Sequence, residues 1–111
     1  MKLDEKKCIP CEGGLEPLTE EKAKKYLTNL NNEWKLSEDS KSIERTYSRK
    51  NHYELSSLIN IIIAISHSED HHPEITFTYN TAKVKYFTYA IDGLSENDFI
   101  CAAKIDKVLS I

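Results

Sequence analysis

Residues 51–73 read NHYELSSLINIIIAISHSEDHHP. Between Asn51 and His72 there is neither glycine nor proline. The isoleucine run alone suits a strand as well as a helix, because β-branched side chains favour sheets. Length decides for helix, since the uninterrupted stretch far exceeds a normal strand of about 5–6 residues. Leu55, Leu58, Ile59, Ile62 and Ile65 form one helical face, with Ile61 and Ile63 off it. Asn51 is the expected N-cap. Pro73 is the expected stop, because a proline pushes the residue before it out of the α region. A helix apolar around so much of its circumference is buried on more than one side. In a chain of 111 residues, the second side is expected to face another subunit, over Leu58 to Ile65.

Alternating stretches lie on both sides of this helix. Upstream, Trp34 and Leu36, then Ile43, Arg45 and Tyr47, predict a hairpin across Glu38-Asp39-Ser40-Lys41. Arg45 on the apolar side predicts a strand near a sheet edge. Downstream, Ile75, Phe77 and Tyr79 alternate with polar residues, and Val84, Tyr86 and Thr88 alternate with Lys85, Phe87 and Tyr89. These form a second predicted hairpin. A first helix is expected after Thr19 as N-cap, with Glu20 and Glu21 at its dipole-favoured end and Ala23, Tyr26, Leu27 and Leu30 inward. A last helix is expected after Gly93, started by a capping-box-like Ser95 and Asp98, with Phe99, Ala102, Ala103 and Leu109 facing the sheet. Residues 1–17 read as an irregular arm. The order is α-β-β-α-β-β-α, which predicts an α+β fold: a four-stranded antiparallel sheet with three helices packed on one face, in a single domain over 1–111.

Composition excludes several classes. Apolar residues make up 40% and charged residues 30%, as in an ordinary globular protein, and the net charge is −3 with no basic stripe. Direct nucleic-acid binding is therefore not expected. The apolar run at Leu58–Ile65 is too short to span a bilayer, so no membrane partner is expected. No apolar run follows the first lysines, and the cysteine count is odd, at three. Both predict a cytoplasmic protein with reduced thiols. Cys8-x-x-Cys11 has no second pair for a zinc ribbon, and Pro10 and Gly13-Gly14 around it do not suit a thioredoxin-like site.

His67, His71 and His72 crowd one helix C-terminus beside Glu69 and Asp70. Helix-end charge and nearby carboxylates favour imidazolium there, which suits proton donation near neutral pH. The plainer reading is a helix end that simply tolerates cations. His67-x3-His71 also has the spacing of paired helical zinc ligands, but the glutamate that follows the first histidine of a zinc protease helix is missing.

In order along the chain, His67, then His71-His72-Pro73, Tyr79, Tyr89 and Gly93-Leu94-Ser95-Glu96-Asn97-Asp98 resemble the motif set of the pterin-4a-carbinolamine dehydratases. The spacing holds without a gap from His67 to Asp98. Cys8-x-x-Cys11, Pro17-Leu18-Thr19 and Trp34 also look like features of that family. Two positions depart from it: Tyr89 stands where the family has a third histidine, and His67 stands where it often has glutamate.

The resemblance implies dehydration of a 4a-hydroxytetrahydropterin to a quinonoid dihydropterin, without metal or cofactor, in a homodimer or homotetramer. It implies His71, His72 and Tyr89 as catalytic residues. His67, Asp70, Pro73, Asp98 and Trp34 would line or support the pterin site. Asp98 is equally well explained as a helix cap, and Trp34 as core. Tyrosine is a poor base at neutral pH, with an ordinary pKa of about 10, so Tyr89 implies weakened turnover unless His67 supplies the missing imidazole. The alternatives are a low-activity pterin-binding homologue with a regulatory or molybdenum-cofactor-related role, and an oligomeric protein-interaction partner, as animal relatives are for a homeodomain transcription factor.

Overall fold

The 51–73 stretch does form the long central helix, but it stops earlier than Pro73. In the computed structural model, which describes residues 2–9 and 15–110, it spans His52–Ser68. Asn51 caps it, its side chain accepting from the Glu54 amide. At the other end the Asp70 amide donates to the His67 carbonyl and the His71 amide reaches back to the Ser66 carbonyl. This is a Schellman stop, and the left-handed residue it requires is Asp70, with φ 52°. Aspartate occupies that region more readily than most residues but less readily than glycine. The helix therefore ends by its own carbonyl capping before the proline acts.

The elements run α1 (Glu20–Leu27), β1 (Lys35–Leu36), β2 (Ile43–Ser48), α2 (His52–Ser68), β3 (Glu74–Phe77), β4 (Thr81–Tyr86) and α3 (Glu96–Leu109). The sheet is antiparallel throughout, in the order β1-β2-β4-β3. The two expected hairpins thus meet along their longer strands, with Ile43 opposite Tyr86 and Tyr47 opposite Ala82. Ile43, Tyr47, Ala82, Val84 and Tyr86 are buried on one face, and Thr46 and Lys83 are exposed on the other. Leu55, Leu58, Ile59 and Ile62 of α2 and Phe99, Ile100, Ala102 and Ile105 of α3 complete the core. Fully burying each Leu, Ile or Phe is worth about 1.5–3 kcal/mol.

β2 lies second in the sheet, next to the two-residue edge strand β1, which pairs only Ile43 and Glu44, so Arg45 does sit near an edge as expected. Arg45 is tolerated there because Asp106 of α3 accepts from its Nη1 at 3.1 Å, and its guanidinium lies 4.5 Å from the centre of the Tyr47 ring. Of the Ile75-Phe77-Tyr79 series, only Ile75 packs on the core, while Phe77 and Tyr79 stay exposed. β3 is an edge strand that ends at Phe77.

The arm is also more ordered than expected over its described part. Leu3–Glu5 form a 3-10 turn and Leu3 is buried. The segment then runs antiparallel along α3, from an Asp4–Lys107 ion pair to Ile9 beside Asn97. Residues 10–14, including Cys11, lie outside the described residues. Further on, the Leu18 amide bonds to the Leu94 carbonyl. Gly93 is required at that crossing, because a Cβ there would come within 2.6 Å of the Pro17 Cβ.

Candidate active site

The Schellman turn decides where His71 goes. By reversing the chain at Asp70, it carries His71 off the helix and turns its imidazole toward the start of α3. There Nε2 lies 2.6 Å from Oδ1 of Asp98. The Tyr86 ring lies nearly parallel to the imidazole, 9° apart with centroids 6.1 Å apart. Tyr86 is itself held, its hydroxyl 2.6 Å from Ser66 Oγ, and burial pushes its phenol well above the ordinary range. His71 is thus fixed in direction by a carboxylate and in plane by a ring.

Asp98 is fully buried yet highly bonded. It sits in the first turn of α3, where it forms a capping box with Ser95 and the helix dipole favours its charge. Its Oδ2 accepts from the Ser95 amide at 3.0 Å and from Thr88 Oγ1 at 2.8 Å. A carboxylate only accepts hydrogen bonds, so the bond to Asp98 as a carboxylate is one in which the imidazole presents N–H on Nε2. That leaves Nδ1 for other work. The two readings of Asp98, cap and histidine partner, describe one carboxyl with two oxygens.

An open cleft of about 470 Å³ lies over this pair. His71, His72 and Asp70 come from the α2–β3 connection, Phe87, Tyr89 and Ala90 from the segment after β4, and Ile9 and Asn97 from the arm and α3. Tyr89 does not extend the strand: it begins a 3-10 turn over Tyr89–Ile91, 88% exposed, with its ring 6.3 Å from that of Phe87. A second cleft of about 470 Å³ borders Leu3, Asn31 and Asp106. Its acids are already engaged, Asp4 by Lys107 and Asp106 by Arg45, Trp34 and the Asn31 amide.

The structure therefore brings together His71, His72, Asp70, Tyr89 and Asp98 and leaves out the others. His67 is exposed in the last turn of α2 and faces His72 across 6.3 Å, outside the cleft. Because His71 has left the helix, the pair does not have the helical spacing that zinc ligation assumed. Pro73 is half-buried and does not line the cleft. Trp34 is core, 1% exposed, with its indole N–H donating to Asp106 at 2.9 Å. Among the described residues no group of three or more His, Cys, Asp or Glu is arranged to hold a metal.

Several contributors were not anticipated from the sequence. Asn97 holds the arm like a short piece of sheet, accepting from the Ile9 amide at 3.1 Å and donating to the Ile9 carbonyl at 2.7 Å. Glu69 accepts from the Cys8 amide at 2.7 Å and pairs with Lys104 at 3.0 Å. Partial burial works to raise the Glu69 carboxyl, but these donors outweigh it and hold it below the usual carboxylate range. Beneath the cleft the Cys8 and Cys101 sulfurs are 3.7 Å apart, and that contact together with burial pushes the Cys101 thiol far up. The one signal in the sequence for Thr88 was its place on the inward side of the alternation with Tyr86.

Comparisons with known proteins agree with the fold. A family model described as pterin 4 alpha carbinolamine dehydratase matches residues 16–108. A Nitrosomonas eutropha protein named "Putative pterin-4-alpha-carbinolamine dehydratase" is 49% identical over 107 residues, covering 96% of this chain and 93% of its own. A Legionella pneumophila protein of the same name is 45% identical over 107 residues, covering 96% of this chain and 95% of its own. The crystal structure of a transcriptional coactivator/pterin dehydratase from Brucella melitensis superposes with a TM-score of 0.77 at 25% identity, over 84% of this chain and 98% of that one.

Proposed function

The chain belongs to the pterin 4 alpha carbinolamine dehydratase family, and on that premise we propose that it removes water from a 4a-hydroxytetrahydropterin in the cleft at His71. The observation that carries this reading is the 2.6 Å contact between His71 Nε2 and the buried Asp98. It sets one imidazole rigidly at the wall of a cleft large enough for a bicyclic ring. The reaction breaks the C4a–O bond as the leaving hydroxyl takes a proton, and a ring N–H gives one up. The products are a quinonoid dihydropterin and water. Histidine suits either transfer. With Nε2 committed to Asp98, His71 uses Nδ1. His72, on the same wall and exposed, is the second proton carrier. Asp70 and Tyr89 bind at the rim, and Phe87 offers a flat apolar surface to the ring. His67, Pro73 and Trp34 are assigned no contact with the substrate.

We place the reaction in the cytoplasm, in a homodimer or homotetramer. Among the described residues no helix is long and apolar enough to cross a membrane. A second reading is favoured by one observation, Tyr89 at the position where the resemblance expects histidine. It is a pterin-binding homologue with little turnover. The test is the rate at which quinonoid dihydropterin appears from freshly generated 4a-hydroxytetrahydropterin with purified protein. Acceleration that disappears in His71→Ala supports the dehydratase. Pterin binding without acceleration overturns it in favour of the second reading.

A further inference from the structure

Thr88 is 3% exposed, and its hydroxyl lies between two groups that matter to His71. It donates to Asp98 Oδ2 at 2.8 Å and lies 2.6 Å from Ser95 Oγ. Since the hydroxyl hydrogen of Thr88 goes to the carboxylate, Ser95 Oγ donates to Thr88 Oγ1. The result is a directed chain from Ser95 to Thr88 to Asp98 to His71. The Thr88 backbone is pinned as well: its amide donates to the Gly93 carbonyl at 2.8 Å and its carbonyl accepts from the Gly93 amide at 3.4 Å. The hydroxyl therefore approaches Asp98 from a fixed point.

We propose that Thr88 is a positioning residue for His71. It holds Oδ2 of Asp98 so that Oδ1 stays aimed at the imidazole, and it ties that aim to the loop that carries Tyr89. A carboxyl group turns about its Cβ–Cγ bond, and the Ser95 amide alone is a single pivot. Thr88 supplies the second donor that stops the rotation. A buried carboxylate oxygen that loses a donor is left partly unpartnered, which favours any movement that finds another. Thr88 also neighbours Phe87 and Tyr89 in the chain, so its bond to Asp98 ties the segment after β4 to the His71 side of the cleft. The part of this inference that concerns turnover rests on the dehydratase reading; the part that concerns the imidazole does not.

The experiment compares native protein with Thr88→Val, which keeps the shape and removes the hydroxyl, and with Thr88→Ser, which restores it. The first readout is the His71 ring in ¹⁵N-labelled protein, where the Nε2–H proton bonded to Asp98 gives a downfield signal. The second is steady-state dehydration. In Thr88→Val the Nε2–H signal is expected to broaden or move upfield. Its kcat should fall roughly 10- to 100-fold while KM changes less than about 2-fold, as for a misplaced catalytic group. Thr88→Ser should recover both. If Thr88→Val is folded and its His71 signal is unchanged, the positioning role is wrong. If the signal moves but native protein shows no turnover, the positioning role stands and the dehydratase reading fails. Should Thr88→Val not fold, the same His71 signal is read in folded Ser95→Ala: broadening or an upfield move supports the directed chain, and an unmoved signal overturns it.

Discussion

His71 Nε2 and Asp98 Oδ1 lie 2.6 Å apart across 27 positions of sequence, with Asp98 wholly buried and His71 nearly so. Removing the carboxylate leaves the Thr88 hydroxyl, the Ser95 amide and the imidazole without their acceptor. Asp98→Ala is therefore expected to lose about 3 kcal/mol of stability, from the lost cap and the unpaired donors. Asp98→Asn keeps the shape, and its loss should appear chiefly in turnover, by roughly 10²-fold. Urea denaturation and initial rates check the two parts. An Asp98→Ala protein as stable as the native one contradicts the account of the site.

Tyr89 is exposed at the cleft rim, so its replacement should leave stability within about 0.5 kcal/mol. Tyr89→His supplies a group that accepts a proton near neutral pH and is expected to raise turnover by roughly 10-fold or more. His67→Glu should change turnover little in either background, because His67 faces His72 from outside the cleft. A lower turnover in Tyr89→His, or abolition by His67→Glu, would show that the roles of these two residues are reversed.

A strong chelator is expected to change neither the melting temperature nor the dehydration rate. His71 already has Asp98 at Nε2, and His67 does not share a helix turn with it. A fall in either quantity that zinc restores would point to a metal held by this chain.

Glu69 holds the arm through the Cys8 amide. Its carboxyl lies below the ordinary range because the Cys8 and Lys104 donors outweigh its partial burial. A carboxyl lowered in the folded state adds stability above its unfolded pKa, and that stability fades as pH falls through the folded value. Amide exchange at Cys8 should therefore accelerate relative to α3 as the pH falls through and below the ordinary carboxylate range. Glu69→Gln should show the faster exchange already at neutral pH. Exchange at Cys8 that ignores both changes rules out Glu69 as the arm's anchor.

Ile61 and Ile63 remain 37% and 48% exposed on α2, and Phe77 is 54% exposed on the edge strand. Light scattering at micromolar concentration is expected to give a dimer or a tetramer. Ile63→Asp should shift the distribution toward monomer without unfolding it. A monomeric native protein sinks this prediction.

The sequence by itself determined the elements and their order. The spacing of Leu55, Leu58, Ile59 and Ile62, the caps at Asn51 and Thr19, the capping box of Ser95 and Asp98, and the alternation of Val84, Tyr86 and Thr88 are all interactions within one helical turn or one strand pleat, so local spacing reveals them. The order of His71-His72-Pro73 and Gly93-Leu94-Ser95 was also enough to point to the family. Tertiary structure alone decided the rest. Arg45 reads as a bare charge on an apolar strand face until Asp106 arrives from α3 to pair with it. Pro73 reads as the helix stop until Asp70 takes the left-handed turn and the carbonyls of Ser66 and His67 are satisfied first. The arm reads as irregular until Glu69 and Asn97 supply partners for its amides. His67 and His71 read as one helical face until that same turn separates them and gives His71 to Asp98. For Arg45, the arm and His71 the deciding partner lies far away in the chain, so its contribution exists only once the fold has formed; the turn at Asp70 is local, but it relies on an aspartate in a conformation that glycine usually takes.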